Sequence, residues 1–325
     1  MDALAPPLLD AQSRTMRYLR LSLTDRCNFR CVYCSPASWG GRSPLLTPAQ
    51  IERLVGVFAK LGIARVRLTG GEPLFRKDIV DIAARIAATP GIGEVCATTN
   101  AHLLAALARP LRDAGLHSLN VSLDTLDAAQ FARLSGGRGE LSRVVAGVDA
   151  ALAAGIEVKL NTVVLAGENE AQCAPLVRFA WARGVVPRFI ECMPFAQGKP
   201  VPSASLVARL AESGLPLTPD DAGPEVVRGP ARYFRGEGGR VGFISPMTQN
   251  FCGGCNRVRV AANGDLRACL GGRAQVPLSS LLQAGADEVT LATAIRAALG
   301  AKPDGHRFND PDARGALLPM MGIGG

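Results

Sequence analysis

The chain has 325 residues, of which 48% are hydrophobic and only 5% aromatic, so its core must be built from Ala, Val, Leu and Ile rather than from rings. This length suits one large α/β unit, or such a unit with a smaller region attached. No run reaches the roughly eighteen apolar residues of a membrane span. No basic stretch followed by an apolar run opens the chain. The net charge of +8 comes without Lys/Arg clusters interleaved with aromatics, which argues against nucleic acid and leaves a solvated surface or a pocket for a polyanion.

Residues 1–16 carry two prolines and no hydrophobic periodicity, and read as a flexible leader. The first strand, Tyr18–Leu23, runs into Cys27-Asn-Phe-Arg-Cys31-Val-Tyr-Cys34, a trio of thiols with no fourth nearby. A structural zinc site closes with four ligands, and a 4Fe-4S cluster is ordinarily held by four thiolates. Three thiols therefore leave one iron exposed, which serves chemistry rather than structure. Thr47 caps a helix over Pro48–Leu61. The strand Arg65–Thr69 ends in Thr69-Gly70-Gly71-Glu72-Pro73, where two glycines permit close backbone approach to a ligand. A helix over Ile79–Ala88 and strands over Glu94–Thr98, Ser118–Leu123, Glu157–Val164 and Pro187–Glu191 continue the alternation, with a helix over Glu170–Arg183. Such alternation calls for a parallel sheet with helices outside it. Six units fall short of a closed barrel, so residues 17–195 are expected to form an α/β fold, an open partial (β/α)6 TIM-type barrel. Its active groups should lie at the C-terminal strand ends. Gly136-Gly137-Arg138-Gly139 lacks the lysine and hydroxyl residue of a P-loop and reads as a turn.

After Phe195 the texture changes. Residues 196–325 are richer in Pro and Gly and show short strands, Tyr233–Phe234, Arg240–Ser245 and Arg257–Ala261, without long helices between them. This smaller region is expected to cover the lateral opening of the barrel. It holds a second incomplete trio, Cys252, Cys255 and Cys269, and so a second cluster with an open iron. Arg257 and Arg259 alternate on a strand and share a face; two adjacent guanidiniums repel unless solvent or an anion accompanies them. Nine cysteines in such a chain point to metal or redox chemistry in a reducing compartment. Cys96, Cys173 and Cys192, outside the trios, read as buried structural thiols. None of the three histidines, His102, His117 and His306, lies near the first trio in sequence.

The first trio, with an aromatic before its last cysteine, resembles the radical S-adenosylmethionine (SAM) superfamily. The second trio narrows the resemblance to the GTP 3′,8-cyclase (MoaA) family of molybdenum cofactor biosynthesis. It extends from about Leu19 to Gly325 through Leu19–Cys27, Thr69–Pro73, Asn120–Asp124, Arg188–Met193, Cys255–Arg259 and the terminal Gly-Gly. The resemblance implies 4Fe-4S clusters on Cys27, Cys31 and Cys34 and on Cys252, Cys255 and Cys269. It implies SAM at the first cluster, near Tyr33, Gly71, Ser122 and Met193. It implies GTP at the second, contacted by Arg20, Arg67, Thr98, Lys159, Arg188, Arg257, Arg259 and the backbone of Val258. Catalytic roles are implied for Arg257, Arg259, Gly324 and Gly325. The implied reaction is cyclisation of GTP to (8S)-3′,8-cyclo-7,8-dihydro-GTP, begun by a 5′-deoxyadenosyl radical. An electron donor, a downstream cyclic pyranopterin monophosphate synthase, a cytoplasmic location and a monomer or homodimer follow from the same resemblance. The chain departs from the family pattern at Ser35, Ala101 and Gly322. Two other readings stay open: a radical SAM peptide maturase with an auxiliary cluster, and a non-enzymatic zinc-binding protein.

Overall fold

The computed structural model of the protein describes residues 6–34, 44–195, 198–220, 229–272, 275–310 and 320. Ser35, Gly322, Gly324 and Gly325 lie outside them. Six strands, β1 (Tyr18–Ser22), β2 (Arg65–Thr69), β3 (Glu94–Thr99), β4 (Leu116–Ser122), β5 (Glu157–Val164) and β6 (Val186–Glu191), stand side by side in chain order, each parallel to the next. Parallel neighbours need crossovers. These are supplied by α1 (Pro48–Lys60), α2 (Ile79–Ala87), α3 (Leu104–Asp113), α4 (Ala128–Leu134), α5 (Leu141–Ala153) and α6 (Cys173–Trp181).

Local chemistry sets these elements. Thr47 accepts from the Gln50 backbone N–H at 3.2 Å while the Gln50 side chain accepts from the Thr47 N–H at 2.9 Å, a reciprocal cap with Pro48 in the first turn. Ile51, Leu54, Val55 and Phe58 then recur at helical spacing and are all buried. Burying a side chain such as Phe58 contributes about 1.5–3 kcal/mol. The core is continuous between helices and sheet and is mainly aliphatic, as the low aromatic content requires.

The C-terminal half supplies α7 (Ser203–Glu212), β7 (Thr218–Pro219), β8 (Arg232–Gly236), β9 (Gly239–Ile244), β10 (Arg257–Val260), β11 (Asp265–Arg267), β12 (Val276–Pro277), α8 (Leu278–Gln283) and α9 (Glu288–Gly300). Its strands do more than cover the barrel. β10 pairs parallel with β1, and β9 pairs parallel with β6, so the expected six-stranded run becomes eight strands. β11 and β12 extend one edge and β8 and β7 the other, each antiparallel to its neighbour. Among the described residues the outermost strands do not pair with each other, and the sheet stays open. The helix α9 was not anticipated. Asp287 caps it through Thr290 N–H at 2.9 Å, and Leu291, Ile295 and Leu299 bury one stripe.

The expected flexible leader is also corrected for residues 8–16. Leu9 and Thr15 form a β-bridge, and Leu8 and Met16 are fully buried. Asp10 turns the hairpin, accepting from the backbone N–H groups of Gln12 and Arg14 at 3.0 Å each and from Arg14 Nε at 2.7 Å. The Arg14 guanidinium, thus aimed, donates to the carbonyls of Cys252 and Asp304 at 2.7 Å and of Pro303 at 2.8 Å. A short sequence with prolines hides such a contact because its partners lie at the far end of the chain. Charge-assisted bonds of this kind stabilise by about 1.5–3 kcal/mol. Arg14→Ala is therefore expected to lower stability by about 2 kcal/mol in chemical denaturation, whereas an unchanged midpoint would mean the hairpin does not grip the body in solution.

Candidate functional site

The first trio occupies the loop after β1, at the C-terminal end of the sheet. This loop is pinned to the one after β2: Gly71 N–H donates to Thr24 O at 2.7 Å and Glu72 N–H to Arg26 O at 2.8 Å. A Cβ on Gly71 would stand 2.2 Å from Arg26 O, so a side chain here would force the two loops apart. Cys27 Sγ accepts from Phe29 N–H at 3.3 Å, and Cys34 N–H donates to Cys31 O at 3.0 Å. Burial, the nearby Glu72 and Cys34 push Cys27 up to about 12, and burial, Asp124 and the other two thiols push Cys31 well above the ordinary thiol value.

Two buried carboxyls flank these thiols. Glu72 accepts from Thr99 Oγ1 at 2.7 Å, Leu74 N–H at 3.0 Å and Asn100 N–H at 2.7 Å, yet burial holds it at about 7. Asp124, raised by burial to about 6, accepts from Tyr33 Oη at 2.6 Å and Val163 N–H at 2.9 Å. The Thr99–His102 turn shows what one departure from the family pattern costs. Ala101 has φ of 59° and is fully buried, in the left-handed region where glycine is easier by about 1–2 kcal/mol. Thr99 Oγ1 and Asn100 Oδ1 hold this turn by accepting from Ala101 and His102 N–H.

Between the loops lies a row of cations. Arg259, Arg20 and Arg67 are register partners on the adjacent strands β10, β1 and β2. Arg67 donates to Ala97 O at 2.7 Å and to Tyr18 Oη, and Arg65 and Arg67 approach the Tyr18 ring. Burial raises the Tyr18 pKa, but Arg67, Arg20 and Arg65 outweigh it and hold it low. Burial and the neighbouring Arg67 and Arg257 press Arg20 down to about 10. Burial with Arg20 and Arg257 presses Arg259 well below its ordinary value, and burial with Arg67 lowers Arg188. An arginine does not surrender its proton at neutral pH, so the row stays cationic and would suit an anion. Arg188 Nε donates to Asn161 Oδ1 at 2.9 Å, while its Nη2 and the Thr98 hydroxyl are buried with no hydrogen-bond partner among the described residues.

The second trio stands beside β10. Cys255 N–H donates to Cys252 O at 3.0 Å, closing a tight turn opened by Asn250 Oδ1, which accepts from Cys252 N–H at 2.6 Å. Burial works against the Cys255 thiolate, but Arg257 and Lys302 overcome it and bring the thiol to about 7.

All six cysteines line one cavity of about 350 Å³. So do Tyr33, Gly71, Ser122, Met193, Arg20, Arg67, Thr98, Lys159, Arg188, Arg257 and Arg259. Seven basic side chains face it, Arg65 being the seventh, against the carboxyls of Glu72 and Asp124. Val258 is buried between the two arginines of β10 and its side chain packs in the core. Lys159 is also paired with Glu157.

Residues 21–180 match the radical SAM superfamily and residues 186–308 match the Molybdenum Cofactor Synthesis C family. A GTP 3′,8-cyclase of Rhodopseudomonas palustris (strain TIE-1) is 43% identical over 316 residues, 93% of this chain and 90% of that protein. Another, of Pseudomonas putida (strain W619), is 44% identical over 322 residues, covering 95% of each. The chain belongs to the GTP 3′,8-cyclase family. Its fold is also that of Streptococcus suis SuiB, seen bound to S-adenosylmethionine, with a TM-score of 0.61 at 18% identity over 86% of this chain and 66% of that one.

The first trio suits the 4Fe-4S cluster of the radical SAM superfamily. Among the described residues no three His, Cys, Asp or Glu side chains converge closely enough for a single metal ion; a four-iron cluster draws its thiolates from separate corners. The backbone N–H on Cys27 Sγ is the kind of contact that tunes a cluster sulfur. The fold also assembles groups that sequence reasoning left without a role: Glu72, Asp124, Tyr18, Arg65 and Asn161. The first two stand inside quoted motifs, and an acid beside a glycine pair or ending a buried strand was the available signal. His306, distant in sequence, lines the cavity and stacks on Phe308, and Cys252 accepts from its backbone N–H.

Glu72 makes a pH prediction. Its folded pKa of about 7 exceeds the ordinary 4.5, so the folded chain binds the proton more tightly than the unfolded one. The associated stability is present below about pH 4.5 and is lost as pH rises through 7. In the metal-free chain, Glu72→Gln is expected to flatten the decline in denaturation midpoint between pH 5 and pH 8; an unaltered slope would assign the decline to other groups.

Proposed function

We propose that this radical SAM enzyme cyclises GTP to (8S)-3′,8-cyclo-7,8-dihydro-GTP, an early step of molybdenum cofactor biosynthesis. One observation carries this reading: two incomplete cysteine trios and seven basic side chains share a single cavity. Such a cavity accepts a polyanion between two iron sites. Cys27, Cys31 and Cys34 hold the first 4Fe-4S cluster, and Tyr33, Gly71, Ser122 and Met193 seat SAM against it. Bound there, cluster and SAM together supply a 5′-deoxyadenosyl radical. Cys252, Cys255 and Cys269 hold a second cluster that receives the guanine, setting the ribose toward the first site.

Arg20, Arg67, Thr98, Lys159 and Arg188 bind the triphosphate and ribose, in keeping with the unpartnered Arg188 Nη2 and Thr98 hydroxyl. Arg257 and Arg259, with the Val258 backbone between them, hold the substrate edge and stabilise the charge that develops as C3′ bonds to C8. Gly324 and Gly325 serve the same centre as a side-chain-free tail. The overall change consumes two electrons, one to cleave SAM and one with a proton to quench the cyclised nucleotide radical, both from a donor, and the unstable product passes to a cyclic pyranopterin monophosphate synthase. Thiol-rich iron chemistry suits a reducing compartment such as the cytoplasm.

Anaerobic reconstitution followed by incubation with SAM, GTP and dithionite tests this directly. Cys27→Ala is expected to abolish 5′-deoxyadenosine, whereas Cys269→Ala is expected to retain some SAM cleavage and yield no cyclised nucleotide. Equal loss of SAM cleavage in both folded variants would refute the division between the trios.

Lysine replacements at Arg257 and Arg259 retain charge but lose the planar donor fork. GTP affinity is expected to weaken by about 1–2 kcal/mol and single-turnover product to fall by a larger factor, because transition-state contacts depend on geometry. A common factor in both measurements would reduce these arginines to phosphate holders.

A further inference from the structure

Beside the second trio, outside the cavity lining, the fold buries a lysine that none of the roles above uses. Lys302 follows α9 and is 3% exposed. Its Nζ donates to the carbonyl of Arg257 at 2.6 Å and stands 3.2 Å from Met16 Sδ and 3.6 Å from Cys255 Sγ. It is not among the residues that line the cavity. Of its three contacts, a carbonyl, a thioether and a thiol, only the sulfur of Cys255 can carry a full negative charge, and it does so on binding metal. Asp10, which also acts on the ammonium electrostatically, is engaged by Arg14 at 2.7 Å. Leaving an ammonium buried without a counter-charge costs several kcal/mol, a cost that a thiolate ligand offsets.

We propose that Lys302 is a positioning residue of the second cluster, fixing the Cys255 sulfur and the Arg257 backbone together and raising the cluster's reduction potential. This rests on the second cluster of the proposed function. Reduction adds a negative charge to the cluster, and a fixed cation on a ligand sulfur stabilises that form more than the oxidised one. Lys302 also links two parts of the site through one side chain. The carbonyl it grips belongs to the residue whose guanidinium faces the cavity, so a shift of the ligand loop is a shift of Arg257.

The test is a redox titration of the reconstituted holoenzyme followed by electron paramagnetic resonance. The second cluster is read from the signal that GTP perturbs, and the SAM-responsive signal serves as internal reference. Lys302→Met keeps the apolar stem and removes the charge; Lys302→Arg restores the charge. In Lys302→Met the reduced-to-oxidised ratio of the GTP-responsive cluster, at the wild-type midpoint, is expected to fall tenfold or more, a shift of about 59 mV for one electron. Lys302→Arg is expected to stay near wild type, and the reference signal to be unmoved in both.

An unchanged midpoint in Lys302→Met overturns the proposal, whatever that variant does to stability or turnover. If Lys302→Met loses the second cluster's iron, Lys302→Arg decides: retention with the charge restored supports the proposal, and loss in both removes charge as the reason. A wild-type chain that holds only one cluster's iron, or shows no GTP-responsive signal, would instead refute the second cluster itself before Lys302 is touched.

Discussion

Like charges abreast on neighbouring strands are the constraint around which this molecule is arranged. Arg259, Arg20 and Arg67 are in register on β10, β1 and β2. Guanidiniums carried abreast on neighbouring strands repel one another, and more strongly in a buried setting than in water. The row is tolerable because the strands that carry it are fixed by aliphatic packing on their other face, where Leu19, Leu21, Val66, Leu68, Val258 and Val260 are all buried. The alternation of a strand thus puts the stabilising burial and the electrostatic stress on opposite faces of the same short strands. Tyr18 eases the stress locally through its ring and hydroxyl. Full relief calls for a polyanion in the cavity.

Much of this was legible in the sequence, for identifiable reasons. The six barrel strands could be read because each is a short β-rich run followed by a helix signal, such as the Thr47 cap, that depends on residues only a few positions apart. The trios could be read because metal chemistry constrains local spacing. The arginines of the pocket were reached through resemblance; their row could not be read directly, since it exists only once β1, β2 and β10 are paired. The same limit explains the missed eighth-strand architecture. β9 and β10 look like ordinary short strands of a Gly-rich region, and nothing local says that their partners are β6 and β1.

The second trio shows how distant chain segments complete a site. Arg14, from the hairpin at the start of the described chain, grips the carbonyls of Cys252, Pro303 and Asp304. Lys302, from beyond α9, grips Arg257 O and faces Cys255. Neither long-range contact leaves a motif, because a cation directed at a carbonyl can stand almost anywhere in a sequence. The loop bearing Cys252 and Cys255 contains two glycines, so these neighbours anchor a turn that its own backbone and Asn250 close. The first trio is held differently, by loop-to-loop backbone bonds between segments close to β1 and β2.

The pairing of β1 with β10 also dictates an order of assembly. During synthesis β1 acquires β2 soon after it emerges, but its other edge must wait for residues 257–260. Until then a nascent half-barrel presents an open row of backbone donors and acceptors, the template on which strands of other chains add. The arginines on the unfinished edge keep that template charged and discourage such addition. Pairing of β10 then brings Cys252, Cys255 and Cys269 to the same cavity as Cys27, Cys31 and Cys34, so the cavity forms only after both distant segments have been made.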